Sequence, residues 1–149
     1  MATQLLWLLA LAAGALIPVQ AAANASLSRS IHGNVPFAAL TLFAIAGATA
    51  MGAPLMSGGP TPSIEDLRSA PSWSYVGGPI VAGYVLTITF LVPRLGVGRA
   101  IALVVTGQIF AALAIDRFGL LGAPSVPVTP LRVCGGVLMV GGVALALRR

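Results

Sequence analysis

Charge is what this chain has least of. Asp, Glu, Lys and Arg make up 7% of its 149 residues, against about 25% in a soluble domain, too few to cover a surface that faces water. Lysine is absent, and the eight basic residues are arginines scattered along the connections. The formal net charge of +5 therefore comes without the basic stripe that nucleic-acid binding requires, and nucleic acid is not an expected partner. The three acids are Glu65, Asp66 and Asp116, and the one histidine is His32. An enzyme needs a nucleophile with a base, a carboxylate pair or a metal cluster, and this inventory supplies none. No catalytic residue, metal site or cofactor is expected. Glu65 and Asp66, adjacent and without a nearby histidine, read as solvated groups or a helix-start signal. His32, beside Gly33 and Asn34, reads as a solvated loop residue. The single Cys134 has no intramolecular disulfide partner and reads as a small buried hydrophobe.

What remains is apolar. Hydrophobic residues make up 58% of the chain and the mean hydropathy is +1.00. Five stretches are long enough to cross a bilayer, about 5–25, 36–56, 73–92, 97–115 and 131–147. The fourth shows the pattern most clearly: Val97 to Ile115 carries one charge, Arg99, over roughly 28 Å of helix, close to the thickness of the hydrocarbon core. The first could be a secretory signal, since small residues follow its apolar run. No positive charge precedes it, however, and four further apolar segments follow, so a retained helix is expected. The fold class is all-α, a polytopic membrane protein with a bundle of five transmembrane helices in one transmembrane domain, residues 1–149, whose first partner is the lipid bilayer.

A few polar groups interrupt these runs, and each needs a partner at that depth. Pro18 cannot bond back to the carbonyl of Gly14, so a kink is expected there. Gln20 and Asn24, four residues apart, share a face. They either line a solute pathway beside the helix break or tie helices together, with packing the preferred reading for Asn24. Tyr84 must aim its hydroxyl at a partner, and Gln108 sits near the middle of the fourth span. Trp73 and Tyr75 stand as interfacial anchors. Pro79 frees the carbonyl of Tyr75, giving a second helix break. Gly135 and Gly142, seven residues apart with Gly136 and Gly141 beside them, suggest a packing surface within the chain or against a second copy. Asp116 could couple an ion or gate with Arg117. Adjacent helical residues point about 100° apart and pair poorly, which favours a plain membrane boundary.

With five spans the chain's two ends lie on opposite sides. Arg29, Arg94, Arg99, Arg148 and Arg149 share one side against Arg68, Arg117 and Arg132 on the other, placing the N-terminus outside and the C-terminus in the cytoplasm. The margin is small and leaves insertion in both senses open. Transporters commonly rock two inverted repeats about a midplane site. A five-helix chain without internal repeat needs a second such unit inserted in the opposite sense.

The segments GALIPVQAAANASL and ALVVTGQIFAALAIDRFGLLG resemble the signature segments of a short five-helix inner-membrane family of the drug/metabolite transporter (DMT) superfamily, similar to EamA-like exporters at half length. The resemblance covers essentially the whole chain and is most specific from Gly107-Gln108 to Asp116-Arg117-Phe118-Gly119. It implies a half-transporter of the bacterial inner membrane that moves a small-molecule substrate or metabolite. The partner would be an antiparallel second copy or a homologous five-helix chain. Carried onto this sequence, the family's motif positions are Gln20, Asn24, Gln108, Asp116 and Arg117. Small multidrug relatives place a glutamate in the first span for proton exchange; this chain has none, which argues against that type of cation antiport. With no charge inside the membrane, the site favours neutral or zwitterionic solutes, or cations held by carbonyls and aromatic faces. The alternative is a non-transporting structural or partner-binding membrane subunit.

Overall fold

The computed structural model describes residues 2–59 and 61–148, and those residues are helical without a strand among them. The chain divides at Arg94 and Leu95 into two compact units. Four helical stretches, Gln4–Ser30, Val35–Pro54, Ser72–Leu95 and Val97–Phe118, are long and apolar enough to cross a membrane, and Pro130–Leu145 is a shorter apolar helix. The protein is a polytopic helical membrane protein.

The first unit opens with α1, Ala2–Ser30, in which Pro18 is an internal residue. The helix passes through the expected break at Pro18 and extends beyond the expected end near Ala25. What stops it is a left-handed turn: His32 has φ 60° and Gly33 φ 77°, and the Gly33 N–H donates to the Ser28 carbonyl at 2.8 Å. That bond closes the helix in the manner of a Schellman motif. His32 thus occupies a backbone position that suits glycine, one that histidine tolerates better than branched residues do.

Helix α2, Val35–Ser57, starts at once. The Asn34 side chain caps it by accepting from the Phe37 N–H at 3.1 Å, and Pro36 fits the first turn, where its missing N–H has no intrahelical role. The connection between α1 and α2 is so short that the two helices lie antiparallel. Replacing the cap, Asn34→Ala, is expected to cost about 1 kcal/mol, read as a lowered unfolding midpoint in detergent, whereas Asn34→Ser should cost little.

The long connection after α2 holds α3, Ile64–Ser69, begun by a capping box. The Ser63 hydroxyl accepts from the Asp66 N–H at 3.1 Å and the Asp66 carboxylate accepts from the Ser63 N–H at 2.8 Å. The Ser63 hydroxyl also donates to that carboxylate at 2.7 Å, and this bond, followed by the one from the Ser63 N–H, favours the charged form and holds the Asp66 pKa below its usual value. Glu65 and Asp66 lie in the first turn, where negative charge suits the helix dipole. The Tyr75 hydroxyl donates to the Leu67 carbonyl, fastening α3 to the 3-10 turn Ser72–Val76. Helix α4, Gly77–Leu95, follows. Pro79 falls in its first turn, so the expected break is a helix start instead. Pro93 is absorbed into the last turn, where the Arg94 guanidinium lies 3.5 Å from the Phe90 ring centre and donates to the Phe90 carbonyl at 2.7 Å.

Two stripes of buried residues hold this unit together. On α1 they are Ala21, Asn24, Ala25 and Ser28; on α4, Val85, Ile88, Thr89 and Val92. Both follow the i, i+3, i+4, i+7 spacing of a single helix face. Ala38 and Ala39 of α2 are buried as well. Small side chains let helix backbones approach closely, the main source of helix cohesion where lipid is the solvent.

The second unit is a hairpin of α5, Val97–Phe118, and α6, Pro130–Leu147. Helix α5 ends at Gly119, φ 59°, whose N–H donates to the Ile115 carbonyl. A short turn over Leu120–Gly122 follows, with Leu121 at φ 57° and Gly122 at φ 76°. The Val126 N–H then donates back to the Asp116 carbonyl at 2.8 Å. Thr129 caps α6 by accepting from the Arg132 N–H, with Pro130 behind it. Of the α6 glycines expected to form a packing face, Gly136 is buried, and a Cβ added there would meet Leu113 of α5, while one added at Gly135, Gly141 or Gly142 would meet no other element within 4 Å. Cys134, expected to be buried, is exposed on α6.

Candidate functional site

The polar residues inside the spans fall into two groups, one in each unit. In the first unit Asn24 is buried and its side-chain amide donates to the Thr89 hydroxyl at 2.6 Å. This bond joins α1 to α4. Asn24 is thereby engaged in helix packing, the role its position near the span's end favours. Thr89 itself is fully buried.

Gln20 lies one turn earlier on the same face of α1. It is half-buried, and its amide nitrogen is shielded yet finds no hydrogen-bond partner among the described residues. The Tyr84 hydroxyl on α4 is in the same condition. Buried polar atoms without partners are rare in native proteins, because each forfeits the bond it made to water. Each unit-one span that carries Gln20 or Tyr84 thus holds one shielded polar atom without a partner among the described residues. Beside Gln20 an open cleft of about 360 Å³ lies between α1 and α2, lined by Gln20, Asn24, Leu27, Thr41, Leu42 and Ile45 among others. The lining is apolar except for the side chains of Gln20, Asn24 and Thr41. The Thr41 hydroxyl donates to the Phe37 carbonyl at 2.9 Å within its own helix.

In the second unit Gln108 is exposed on α5, as are Gly107, Ala111 and Ala112 near it. Asp116, at the end of α5, meets Arg132 in the first turn of α6 at 2.9 Å, both side chains remaining partly exposed. An ion pair so open to its surroundings contributes about 1 kcal/mol or less. It staples the α5–α6 hairpin at the end of α5. Arg117 is exposed. Among the described residues no group of three His, Cys, Asp or Glu comes together.

Sequence reasoning missed Thr89, Arg132 and Thr41. The stripe spacing on α4 points to Thr89 as an inward residue, and the last turn of α5 facing the first turn of α6 points to Arg132. Thr41 carries no signal, being one hydroxyl in an otherwise apolar span.

Comparison with curated proteins brings no match, and comparison with solved structures brings none. Residues 5–145 match the family described as "Putative inner membrane exporter, YdcZ". That description concerns transport rather than catalysis and places the multi-pass chain in the inner membrane. Four membrane-length helices, polar groups held inside them and a match running almost end to end agree: the chain belongs to the DMT-type YdcZ family of inner-membrane transport proteins.

Proposed function

We propose that this chain is half of a small-molecule exporter. It pairs with a second five-helix unit, either an inverted copy or a homologous chain, with α6 as its fifth span. The N-terminus lies outside and the C-terminus in the cytoplasm. The observation that carries this reading is the pair of shielded, partnerless groups, the Gln20 amide and the Tyr84 hydroxyl.

If α1, α2 and α4 cross the membrane in succession, α1 and α4 run in the same direction. The Asn24–Thr89 bond sets their relative height. Gln20 is then about 6 Å below that bond and Tyr84 about 7.5 Å below it, at nearly one depth. An amide donor and a phenol at one level suit a neutral or zwitterionic solute that offers an acceptor, with the ring available to an amine. In the second unit Gln108 is the polar group within a span, and Asp116 and Arg117 belong to the membrane boundary.

A panel of amino acids and amines tested by thermal shift, followed by flux of the stabilising compounds in proteoliposomes, tests the reading. Gln20→Leu and Tyr84→Phe are expected to lower flux by about fivefold, since each hydrogen bond to solute is worth about 1 kcal/mol. Melting temperature should be unchanged or raised, because a partnerless buried polar group is removed. A merely structural subunit predicts loss of stability with no solute flux in the parent protein. That outcome would exclude transport.

A further inference from the structure

Between the membrane-length stretches Val35–Pro54 and Ser72–Leu95 stands the short helix α3, Ile64–Ser69, none of whose residues is buried. Its positions are sorted by chemistry. Ile64, Leu67 and Arg68 are three and four residues apart and share one side, and Glu65, Asp66 and Ser69 share the other. The first three side chains also line one open cleft, of about 360 Å³, with Ala70, Ser72 and Tyr75. Ile64 is 71% exposed and Leu67 52%, an apolar side with no protein over it among the described residues. Arg68 makes no ion pair or hydrogen bond among those residues, although two acids lie in its own helix. The Tyr75 hydroxyl donates to the Leu67 carbonyl, which holds α3 against the first residues of the span Ser72–Leu95. Trp73 lies there as well, 49% exposed, and such aromatics sit at the level of lipid headgroups. Apolar side chains at that level, next to a cation on a long apolar stem, match the boundary between acyl chains and phosphates.

We propose that α3 lies flat on the bilayer surface, with Ile64 and Leu67 at the acyl-chain boundary and Arg68 against lipid phosphate. The occupant is lipid, because this side of α3 continues the surface of a span already in lipid. The charges run the same way: the cation borders the apolar side, and the acids stand opposite, toward water. Six residues would not hold a membrane surface alone; the spans on either side keep α3 there, so it needs little affinity of its own. The assignment is independent of the transport reading.

The test uses the full chain in a Cys134→Ala background, in nanodiscs of phosphatidylcholine and phosphatidylglycerol, where both faces meet solution. Ile64→Cys, Leu67→Cys, Glu65→Cys and Ser69→Cys each carry a fluorescent label, and a fraction of the lipid bears a nitroxide at the headgroup. Labels at 64 and 67 are expected to lose most of their fluorescence, and those at 65 and 69 little. Before labelling, the first two cysteines should react slowly with a water-soluble maleimide and the last two fast. Fast reaction and weak quenching at all four would place α3 in water and overturn the proposal. Slow reaction with weak quenching at 64 and 67 would mean that protein, not lipid, covers them, and equal quenching at all four would mean that no side is preferred; either overturns it. As a second measure, Arg68→Gln in the Ile64→Cys chain is expected to speed the maleimide reaction about fivefold in phosphatidylglycerol nanodiscs, the factor for about 1 kcal/mol per basic residue at an anionic surface, and by less in pure phosphatidylcholine. Its melting temperature in detergent should not move. An unchanged rate in phosphatidylglycerol would overturn the phosphate contact.

Discussion

Thr89→Val is expected to destabilise the first unit by about 1 to 2 kcal/mol, measured as unfolding in mixed micelles. The substitution keeps the side chain's volume and removes its hydroxyl, leaving the buried Asn24 amide without an acceptor. Hydrogen bonds between membrane helices are worth about 0.6 kcal/mol on average, since the separated helices also find partners. The larger figure is expected here because the orphaned group is shielded, and the loss includes its desolvation. Asn24→Leu should cost less, because the Thr89 hydroxyl can turn to a carbonyl of its own helix. The decisive measurement is the pair together. In Asn24→Leu/Thr89→Val no buried polar group is left unsatisfied, so the double variant should lose less than the two single losses added. Strict additivity would mean that the bond does not couple α1 to α4.

Gly136→Ile is expected to cost about 1 to 3 kcal/mol in the second unit, the usual penalty for overpacking a tight contact. A Cβ added at Gly136 would lie 3.6 Å from Leu113 Cδ1. Alanine is accommodated at that distance and should be neutral or stabilising by up to about 1 kcal/mol through its better helix propensity. The branched chain of isoleucine has nowhere to go without parting α5 from α6. Gly142→Ile is the control, because a Cβ added there would meet no other part of the chain within 4 Å. It should leave the melting temperature of the isolated chain unchanged. Thermal denaturation of the three variants in detergent separates these cases; equal losses at Gly136 and Gly142 would show that the Leu113 contact does not set the cost.

The helices were legible because lipid demands little subtlety. A segment crosses if it is apolar for long enough and satisfies its own backbone, and the stretches around 36–56 and 97–115 announce this by length alone. Of the helix ends, one was read from local chemistry, Glu65 and Asp66 as a helix-start signal, while the caps at Asn34 and Ser63 were not. Nor was the end of α1, since His32 gives no advance notice of a left-handed backbone. Pro79 was misplaced for the same reason, its meaning depending on whether the helix starts before or after it. The site was half legible. A glutamine or tyrosine within an apolar run is visible at once, but its partner depends on the relative register of two helices, which no local pattern carries. Hence Asn24 was seen and Thr89 was not, and Asp116 was weighed against its neighbour Arg117 although its partner is Arg132, sixteen residues on.

The alanine and valine stripes that join α1, α2 and α4 have a thermodynamic corollary. When these faces come together they exchange contact with acyl chains for contact with each other, and no hydrocarbon is withdrawn from water. The heat-capacity increment that accompanies unfolding of aqueous domains arises from newly hydrated apolar surface. Separation of these helices within the bilayer should therefore be nearly free of it, with an enthalpy almost independent of temperature and no cold-denaturation branch.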